Sequence, residues 1–347
     1  MTLILCLAVL VVSALLTGAV RGYALRKQLL DTPNERSSHS VPTPRGGGVG
    51  LVAAFILGLG SAVWLGLLPA WDAAVLAVPG LAVASIGFAD DHGHIAARWR
   101  LLAHFGAASV GLALLHSWPI VPITSHFHLS ERWLAIPLAV GLVWLLNLYN
   151  FMDGIDGIAG TQAVTVCLGF ALLSYLFATP ADTVLALLLG AASGGFLCWN
   201  LPPARIFMGD AGSGFLGIAI GFLWLKIAAH KPECFWAGFV LMGVFIIDAT
   251  WTLAVRLKNK QRIYEAHRSH GYQQAAIWLG SHGKVTATVA LINLAWLLPL
   301  SWCIAAGAIP AAWGVGIAAA PLVIAAWLLG AGLQGSPPRF HGNGRSD

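Results

Sequence analysis

The chain has 347 residues, of which 58% are hydrophobic and only 10% charged, and its mean hydropathy is +0.79. This composition excludes a water-soluble globular protein and predicts a polytopic membrane protein. The formal net charge of +5 mainly reflects where basic residues lie relative to the membrane, and we expect no nucleic-acid partner.

Apolar runs of about 18 to 22 residues recur along the chain, and a helix of this length crosses about 30 Å of hydrocarbon. The runs are continuously apolar rather than alternating, which predicts helices and not a barrel. The predicted fold class is all-α, with about eleven transmembrane helices, or ten, in a single domain over residues 1–331, followed by a disordered cytoplasmic tail at 332–347. The predicted spans are 2–20, 49–68, 72–89, 101–117, 133–149, 157–178, 183–199, 211–229, 235–255, 284–306 and 309–330.

Basic residues predict the orientation of these spans. The first run has basic residues after it and none before it, so it should insert as an uncleaved anchor with the amino terminus outside. With eleven spans, 16 of the 19 basic residues then fall on the cytoplasmic side, and the exceptions are Arg132, Lys226 and Lys231. The five cysteines are scattered and indicate neither a metal site nor a disulfide framework.

The first predicted cytoplasmic loop contains a glycine-rich stretch at 42–48, before the second span. Pro42 and Pro44 disfavour a continuous helix, and Gly46 lets the backbone approach a ligand closely. Backbone amides at a helix start, together with Arg45, could cradle a phosphate. A turn or a close contact between helices is the commoner explanation of such glycines.

Two adjacent carboxylates, Asp90 and Asp91, end the third span. On a helix they point about 100° apart, so one could bind Mg²⁺ while its neighbour faces a substrate. The alternative is a solvated helix end, but carboxylates at the carboxyl terminus of a helix oppose the helix dipole. The pair therefore favours a functional role.

Asp153 and Asp156 lie at the glycine-rich start of the sixth span and follow Asn147 and Asn150. Because they are three residues apart, the two carboxylates would share a helix face. Aspartates at a helix start also satisfy free amides and suit the helix dipole, so one of them could be a cap. Two aspartates beside two asparagines favour a binding site.

The next cytoplasmic loop carries Asn200, Phe207 and Asp210. Phe207 could offer its ring to a nucleobase, although an aromatic residue near a membrane surface is usually an anchor. Asp210 could cap the eighth span or supply a carboxylate opposite Asp90 and Asp91. The predicted spans place all five aspartates on one membrane face, where clustered like charges need a cation, and such a cation most often serves chemistry on phosphate.

The longest internal cytoplasmic loop holds His267, Arg268 and His270. Arg and His can neutralise phosphoryl oxygens, and His can also move a proton near neutral pH. An ordinary basic segment beside the membrane explains the loop equally well. Asp248, alone inside the ninth span, either pairs with a neighbour or lies in a cavity open to the cytoplasm.

Five stretches resemble motifs of the polyprenyl-phosphate N-acetylhexosamine-1-phosphate transferases, which include the bacterial phospho-N-acetylmuramoyl-pentapeptide transferase, and they occur in the same order as in that family. They are PTPRGGG at 42–48, ADD at 89–91, NFMDGIDG at 150–157, PARIFMGDAGS at 203–213 and HRSH at 267–270. The resemblance implies transfer of a HexNAc-1-phosphate from a UDP-sugar to undecaprenyl or another polyprenyl phosphate, with release of UMP. It also implies Mg²⁺ as the cofactor, with Mn²⁺ as an alternative.

The resemblance assigns roles to individual residues. The catalytic candidates are Asp90, Asp91, Asp210, His267 and His270. The metal candidates are Asp91 and Asp210, and Asp90 matches the residue assigned to the lipid phosphate. The substrate-binding candidates are Arg45, Asn150, Asp153, Asp156, Asn200, Phe207 and Arg268, with Phe207 at the position that stacks on uracil. We favour a single displacement, since a phosphate monoester has a second pKa of about 6 and is mostly dianionic at neutral pH.

The chain departs from the family pattern after the Asp pair, where it reads His92, Gly93 and His94, and in HRSH, which lacks a run of consecutive histidines. The second departure argues against the muramoyl-pentapeptide branch. The stretches RSSHSVPTPRGGG and HRSHGYQ are closer to the branch that initiates O-antigen (lipopolysaccharide) or other surface polysaccharides, with GlcNAc, FucNAc and QuiNAc all open. The resemblance implies a bacterial inner-membrane enzyme with cytoplasmic catalytic loops, and a homodimer is an open alternative.

The alternative from another class is a polytopic transporter with a cytoplasm-facing anion or metal site. Transporters typically place ionisable residues near the bilayer midplane, in broken helices. Asp248 lies inside a predicted span, whereas the five aspartates of the motif loops lie at one interface. The sequence therefore favours the enzyme.

Overall fold

The computed structural model describes residues 1–33, 41–93, 95–123, 128–129, 131–261 and 267–333. His94 and the predicted tail from residue 334 onwards lie outside the described residues. Over the described part of the chain the fold is all-α, which confirms the predicted class, and its only strands are two pairs of two residues each.

The helices begin and end as follows. They are α1 (Thr2–Arg26), α2 (Gly48–Trp64), α3 (Ala70–His92), α4 (Ala97–Leu114), α5 (Glu131–Met152), α6 (Ile158–Phe177), α7 (Pro180–Asn200), α8 (Asp210–His230), α9 (Glu233–Leu241), α10 (Gly243–Lys258), α11 (Gly271–Leu279), α12 (His282–Ile292), α13 (Leu298–Ala305) and α14 (Ala311–Leu328). A π-helical turn over Asn293–Leu297 joins α12 to α13. The antiparallel strand pairs are β1 (Leu30–Asp31) with β2 (Thr43–Pro44), and β3 (Val121–Pro122) with β4 (His128–Leu129).

Helices occupy all eleven predicted spans, but not all of them are long and apolar enough to cross a membrane. Within the described ranges, 8 helical segments meet that condition, and a broken pair raises the number to 9. The pair is α9 with α10, which are bent by 72° at their junction. Arg98, Arg100 and His104 lower the hydropathy of α4, and α2 has only 17 residues. The number of crossings therefore stays a prediction.

Glycine contacts bring the functional loops to the start of α8, which is buried along most of its length. A Cβ on Gly87 would lie 2.5 Å from the carbonyl carbon of Asp210, so only glycine lets the end of α3 approach α8 this closely. A Cβ on Gly48 would lie 2.4 Å from the Cα of Gly212. At Gly48 the close contact between helices is therefore the right explanation, whereas Gly46 has a φ of +99° and serves a turn.

Candidate active site

The glycine-rich loop before α2 and the loop before α8 are joined by backbone hydrogen bonds. The Phe207 N–H donates to the Pro44 carbonyl at 2.8 Å, and the Gly46 and Gly47 amides donate to the Phe207 carbonyl at 3.1 and 2.9 Å. This pairing sets Arg45, which lies between Pro44 and Gly46, beside the first residue of α8.

Two arginines bridge three carboxylates at this point, and we call Asp90, Asp91, Asp210, Arg45 and Arg100 the carboxylate centre. Arg45 Nε lies 3.0 Å from Asp91 Oδ1, and Arg45 Nη2 binds Asp210 Oδ1. Arg100 Nη1 binds Asp90 Oδ2 and lies 3.4 Å from Asp210 Oδ2. Three of the five aspartates that the sequence places on one face therefore converge here, and Arg100 joins them without having been predicted as a site residue.

Asp91 also caps the next helix of the site. Its carboxylate accepts the backbone amides of Asp210 at 3.2 Å and Ala211 at 3.3 Å, both in the first turn of α8. The Asp91 carboxylate is thus unfavourable for the dipole of α3, because it lies at the carboxyl end of that helix, but favourable for the dipole of α8, because it lies at the amino end. Asp90 accepts the Ile95 amide at 2.8 Å. Local hydrogen bonds therefore stabilise both carboxylates, for which the sequence favoured a functional role over a solvated helix end.

The pKa of Asp153, which lies just after α5, is influenced by charges of the carboxylate centre. Burial raises the pKa of Asp153 to about 8, and the Arg45 guanidinium pulls in the opposite direction. The charges of Asp210, Asp91 and Asp156 add to the rise. Asp153 therefore holds a proton at neutral pH in this state.

A groove of about 670 Å³ lies between the α7–α8 loop and α11, and we call it the α11 groove. Asp156, Phe207, Arg268 and His282 lie along it. Asp156 Oδ1 is 3.3 Å from His282 Nδ1, and Asp156 Oδ2 accepts the Ala204 amide at 3.0 Å. Three predicted substrate-binding residues thus share one groove with His282, which could not be picked out from the sequence because a single histidine at a helix start carries no distinctive pattern.

A cavity of about 200 Å³ lies between α3, α4, α5 and α8, and we call it the α4–α5 cavity. Its polar lining consists of Arg100, His104, Asn147, Asn150 and Asp210. The remaining lining is mostly apolar. Asp210 and Arg100 therefore belong to the carboxylate centre and also line a pocket among the membrane helices.

The loop that holds His267, Arg268 and His270, which we call the histidine loop, packs against Asp248 of α10. His270 Nδ1 lies 3.1 Å from Asp248 Oδ1, and the same carboxylate accepts two amides at the start of α11. Of the two alternatives for Asp248, pairing with a neighbour is therefore the one observed. The His267 ring stacks on His270 with centroids 4.9 Å apart. Burial lowers the pKa of His267 to about 3, with His270 and Arg256 adding to the effect, so His267 is neutral at physiological pH.

The buried Asn200 side chain joins two loops of the site. Its Oδ1 accepts the Gly157 amide at 3.1 Å, and its Nδ2 donates to the Ile206 carbonyl at 2.9 Å. Both polar atoms of the amide are thus engaged with backbone. Asn200 positions the loops that carry Asp156 and Phe207, and its predicted contact with substrate stays a prediction.

The carboxylate centre has the donor chemistry that a magnesium ion requires. Among the described residues, no group of three or more His, Cys, Asp or Glu side chains is arranged to hold a metal. Mg²⁺, however, is commonly held by one or two carboxylates together with substrate phosphates. Asp91 and Asp210 meet at a single guanidinium and offer oxygen donors only, so they fit such a site.

Comparison with known proteins gives consistent matches. The model of Glycosyl transferase family 4 matches residues 73–228, which include all five site aspartates. A Bacillus subtilis protein described as a probable undecaprenyl-phosphate N-acetylglucosaminyl 1-phosphate transferase is 29% identical over 288 residues, covering 80% of this chain and 78% of that protein. A phospho-N-acetylmuramoyl-pentapeptide-transferase from Synechococcus sp. is 31% identical over 284 residues, covering 73% of this chain and 79% of that protein. A decaprenyl-phosphate N-acetylglucosaminephosphotransferase from Mycolicibacterium smegmatis is 31% identical over 231 residues, covering 59% of this chain and 55% of that protein.

Proposed function

The chain belongs to glycosyl transferase family 4, the polyprenyl-phosphate N-acetylhexosamine-1-phosphate transferases, and from this we propose that it transfers a HexNAc-1-phosphate from a UDP-sugar to a polyprenyl phosphate. The products are a polyprenyl-diphosphate sugar and UMP. The names of the Bacillus and Mycolicibacterium relatives, which specify GlcNAc and a polyprenyl-phosphate acceptor, support this assignment.

One observation supports the proposal most strongly. The site has two pockets of different chemistry, namely the α4–α5 cavity beside the carboxylate centre and the α11 groove. The α4–α5 cavity is lined largely by apolar side chains of membrane helices, as a lipid-borne phosphate requires. The α11 groove presents an aromatic ring, a guanidinium and a carboxylate, which suit a nucleotide. A reaction that joins a lipid phosphate to a nucleotide sugar needs both kinds of pocket.

The acceptor side needs positioning more than it needs a strong base. A phosphate monoester is mostly dianionic at neutral pH, so its oxygen can attack the sugar-bearing phosphorus directly. Asp90 is fixed by Arg100 and by the Ile95 amide, and it orients the incoming phosphate group through that arginine. UMP then leaves in a single displacement.

The two bridged carboxylates are the proposed metal ligands. Asp91 and Asp210 would hold Mg²⁺, or Mn²⁺ in its place, and the ion would neutralise the charge that accumulates between the two phosphate substrates. Arg45 binds both carboxylates and is 40% exposed at its side chain, so it can also reach a phosphoryl oxygen.

The donor side is formed by the α11 groove and the histidine loop. Phe207 stacks on the uracil ring, and Arg268, which lines the same groove, neutralises the diphosphate. His267 is neutral, so it serves as a hydrogen-bonding group rather than as a cation. Asp153 and Asp156 complete the nucleotide side of the site.

The cellular context follows from the same premise. We propose that the enzyme lies in the bacterial inner membrane with its amino terminus outside and its catalytic loops in the cytoplasm, as the distribution of basic residues indicates. HRSH at 267–270 favours the branch that initiates O-antigen or another surface polysaccharide. Assembly as a homodimer is compatible with this proposal.

The decisive experiment supplies purified protein with undecaprenyl phosphate, Mg²⁺ and, in separate reactions, UDP-GlcNAc, UDP-QuiNAc or UDP-FucNAc. We expect UMP release with at least one sugar, and loss of that release without the lipid phosphate or with EDTA. Replacing Mg²⁺ by Mn²⁺ tests the metal separately. Absence of UMP with every sugar would sink the proposal, and sugar-dependent uptake by proteoliposomes would instead support the transporter.

A further inference from the structure

His104 lies in the α4–α5 cavity, and neither the family resemblance nor the sequence pattern gives it a role. It follows Arg100 by four residues on α4, so the two side chains lie on the same face of the helix. Both line the cavity together with Asp210. His104 is therefore placed beside the carboxylate centre, on the side that faces the membrane helices.

One ring nitrogen of His104 lacks a partner. Its Nδ1 is excluded from solvent and makes no hydrogen bond within the described part of the chain. Buried polar atoms in folded proteins nearly always have a partner, because leaving one unpaired destabilises the structure. The other polar side chains of the cavity, Arg100, Asn147, Asn150 and Asp210, make no hydrogen bond to this nitrogen. The missing partner is thus expected to come from whatever fills the cavity.

The chemistry of the cavity identifies that ligand. Its charged lining combines Arg100 with the carboxylate of Asp210, whereas Phe207 and Arg268 line a different groove. Apolar walls beside a guanidinium suit a phosphate on an apolar chain better than a nucleotide. We propose, on the basis of the proposed function, that the His104 imidazole hydrogen-bonds to the phosphate of the polyprenyl acceptor and, together with Arg100, fixes it beside Asp90.

Two substitutions test this contact through the separate KM values of the two substrates. His104→Leu removes both ring nitrogens, and we expect the KM for undecaprenyl phosphate to rise about tenfold, as for a lost hydrogen bond to a charged group. The KM for the UDP-sugar should not change. His104→Gln retains a side-chain N–H donor and should restore most of the acceptor affinity.

The matched control is His116→Leu, since His116 stacks on Trp71 beyond the far end of α4. This variant should keep both KM values. An unchanged acceptor KM in His104→Leu, a rise confined to the UDP-sugar, or a His104→Gln variant no better than His104→Leu would each overturn the inference.

A binding measurement separates this inference from the proposed function. Thermal-shift titration of the wild type and of His104→Leu with a short polyprenyl phosphate, without UDP-sugar, requires no turnover. Weaker stabilisation of the variant supports the contact even if no UDP-sugar is consumed, and equal stabilisation contradicts it even if the enzyme is active.

Discussion

The helices α3 and α8 are joined by ion pairs at both of their ends, but only one end has the features of a reaction centre. At the far end, Lys226 Nζ lies 2.6 Å from Asp72 Oδ1 and 3.4 Å from Asp182 Oδ1, and His230 Nε2 lies 3.1 Å from Asp182 Oδ2. We call these four residues the far cluster. At the near end, three carboxylates share two arginines in the carboxylate centre.

The difference shows that ion pairing alone does not identify a functional site. In the far cluster, Asp72 and Asp182 lie in the first turns of α3 and α7, where a carboxylate suits the helix dipole, and His230 lies in the last turn of α8. In the carboxylate centre, acids outnumber bases, and Asp210 and Arg100 of the centre border the α4–α5 cavity. A surplus of like charge beside a cavity, rather than the pairing itself, is what distinguishes the two ends.

The largest effect should come from removing one carboxylate of the centre. Asp210→Asn is expected to lower kcat by about 10²- to 10³-fold, the usual cost of losing one group that stabilises transition-state charge. Asp72→Asn, at the far end of the same helix pair, should leave kcat within about twofold. UMP release under saturating substrates measures both, and similar losses in the two variants would remove the functional distinction between the ends.

The far cluster should instead contribute to stability. The Asp182 side chain is 1% exposed, and its loss leaves His230 and Lys226 with one carboxylate fewer. Asp182→Ala should lower the free energy of unfolding by about 3 kcal/mol, as when one partner of a buried pair is removed. Thermal unfolding in detergent measures this as a lower Tm, with kcat of the folded protein unchanged. A variant with normal Tm but reduced kcat would contradict the structural role.

Phe207 tests the proposed nucleotide side of the site, in the α11 groove. Phe207→Ala should raise the KM for the UDP-sugar about tenfold, because stacking of one base on an aromatic ring is worth about 1–3 kcal/mol. Tyr175, which is exposed on α6, provides the control variant Tyr175→Ala. If the two variants have the same KM, Phe207 is a membrane anchor, the alternative that the sequence left open.

Much of this arrangement could be predicted from the sequence, because its patterns are local. Continuous apolar runs give the helices, and the same-side position of Asp90, Asp91 and Asp210 follows from counting spans. The bend of 72° between α9 and α10 could not be predicted, since hydropathy continues through it and no proline marks it.

The missed residues depend on contacts between distant elements. Arg100 meets Asp210 across 110 positions of sequence, and His282 meets Asp156 across 126. Nothing in the residues around them indicates these partners. Asn200 shows the converse, because its motif suggested a substrate contact while its amide holds the backbone of two loops.

The smallest expected effect, measured per pH unit, concerns Asp153, whose pKa is influenced by the charges of the near end. The folded protein keeps this proton up to a pH of about 8, whereas the unfolded chain loses it at a pKa of about 3.9. Between these values the folded state binds more protons, so its stability should fall as the pH rises, by less than about 1.4 kcal/mol per pH unit because Asp153 is only partly buried. Thermal unfolding of the wild type in Mg²⁺-free detergent buffer from pH 5 to 8 measures this slope. Asp153→Asn should flatten it and Asp182→Ala should retain it, and an equal slope in Asp153→Asn would assign the pH dependence to groups other than Asp153.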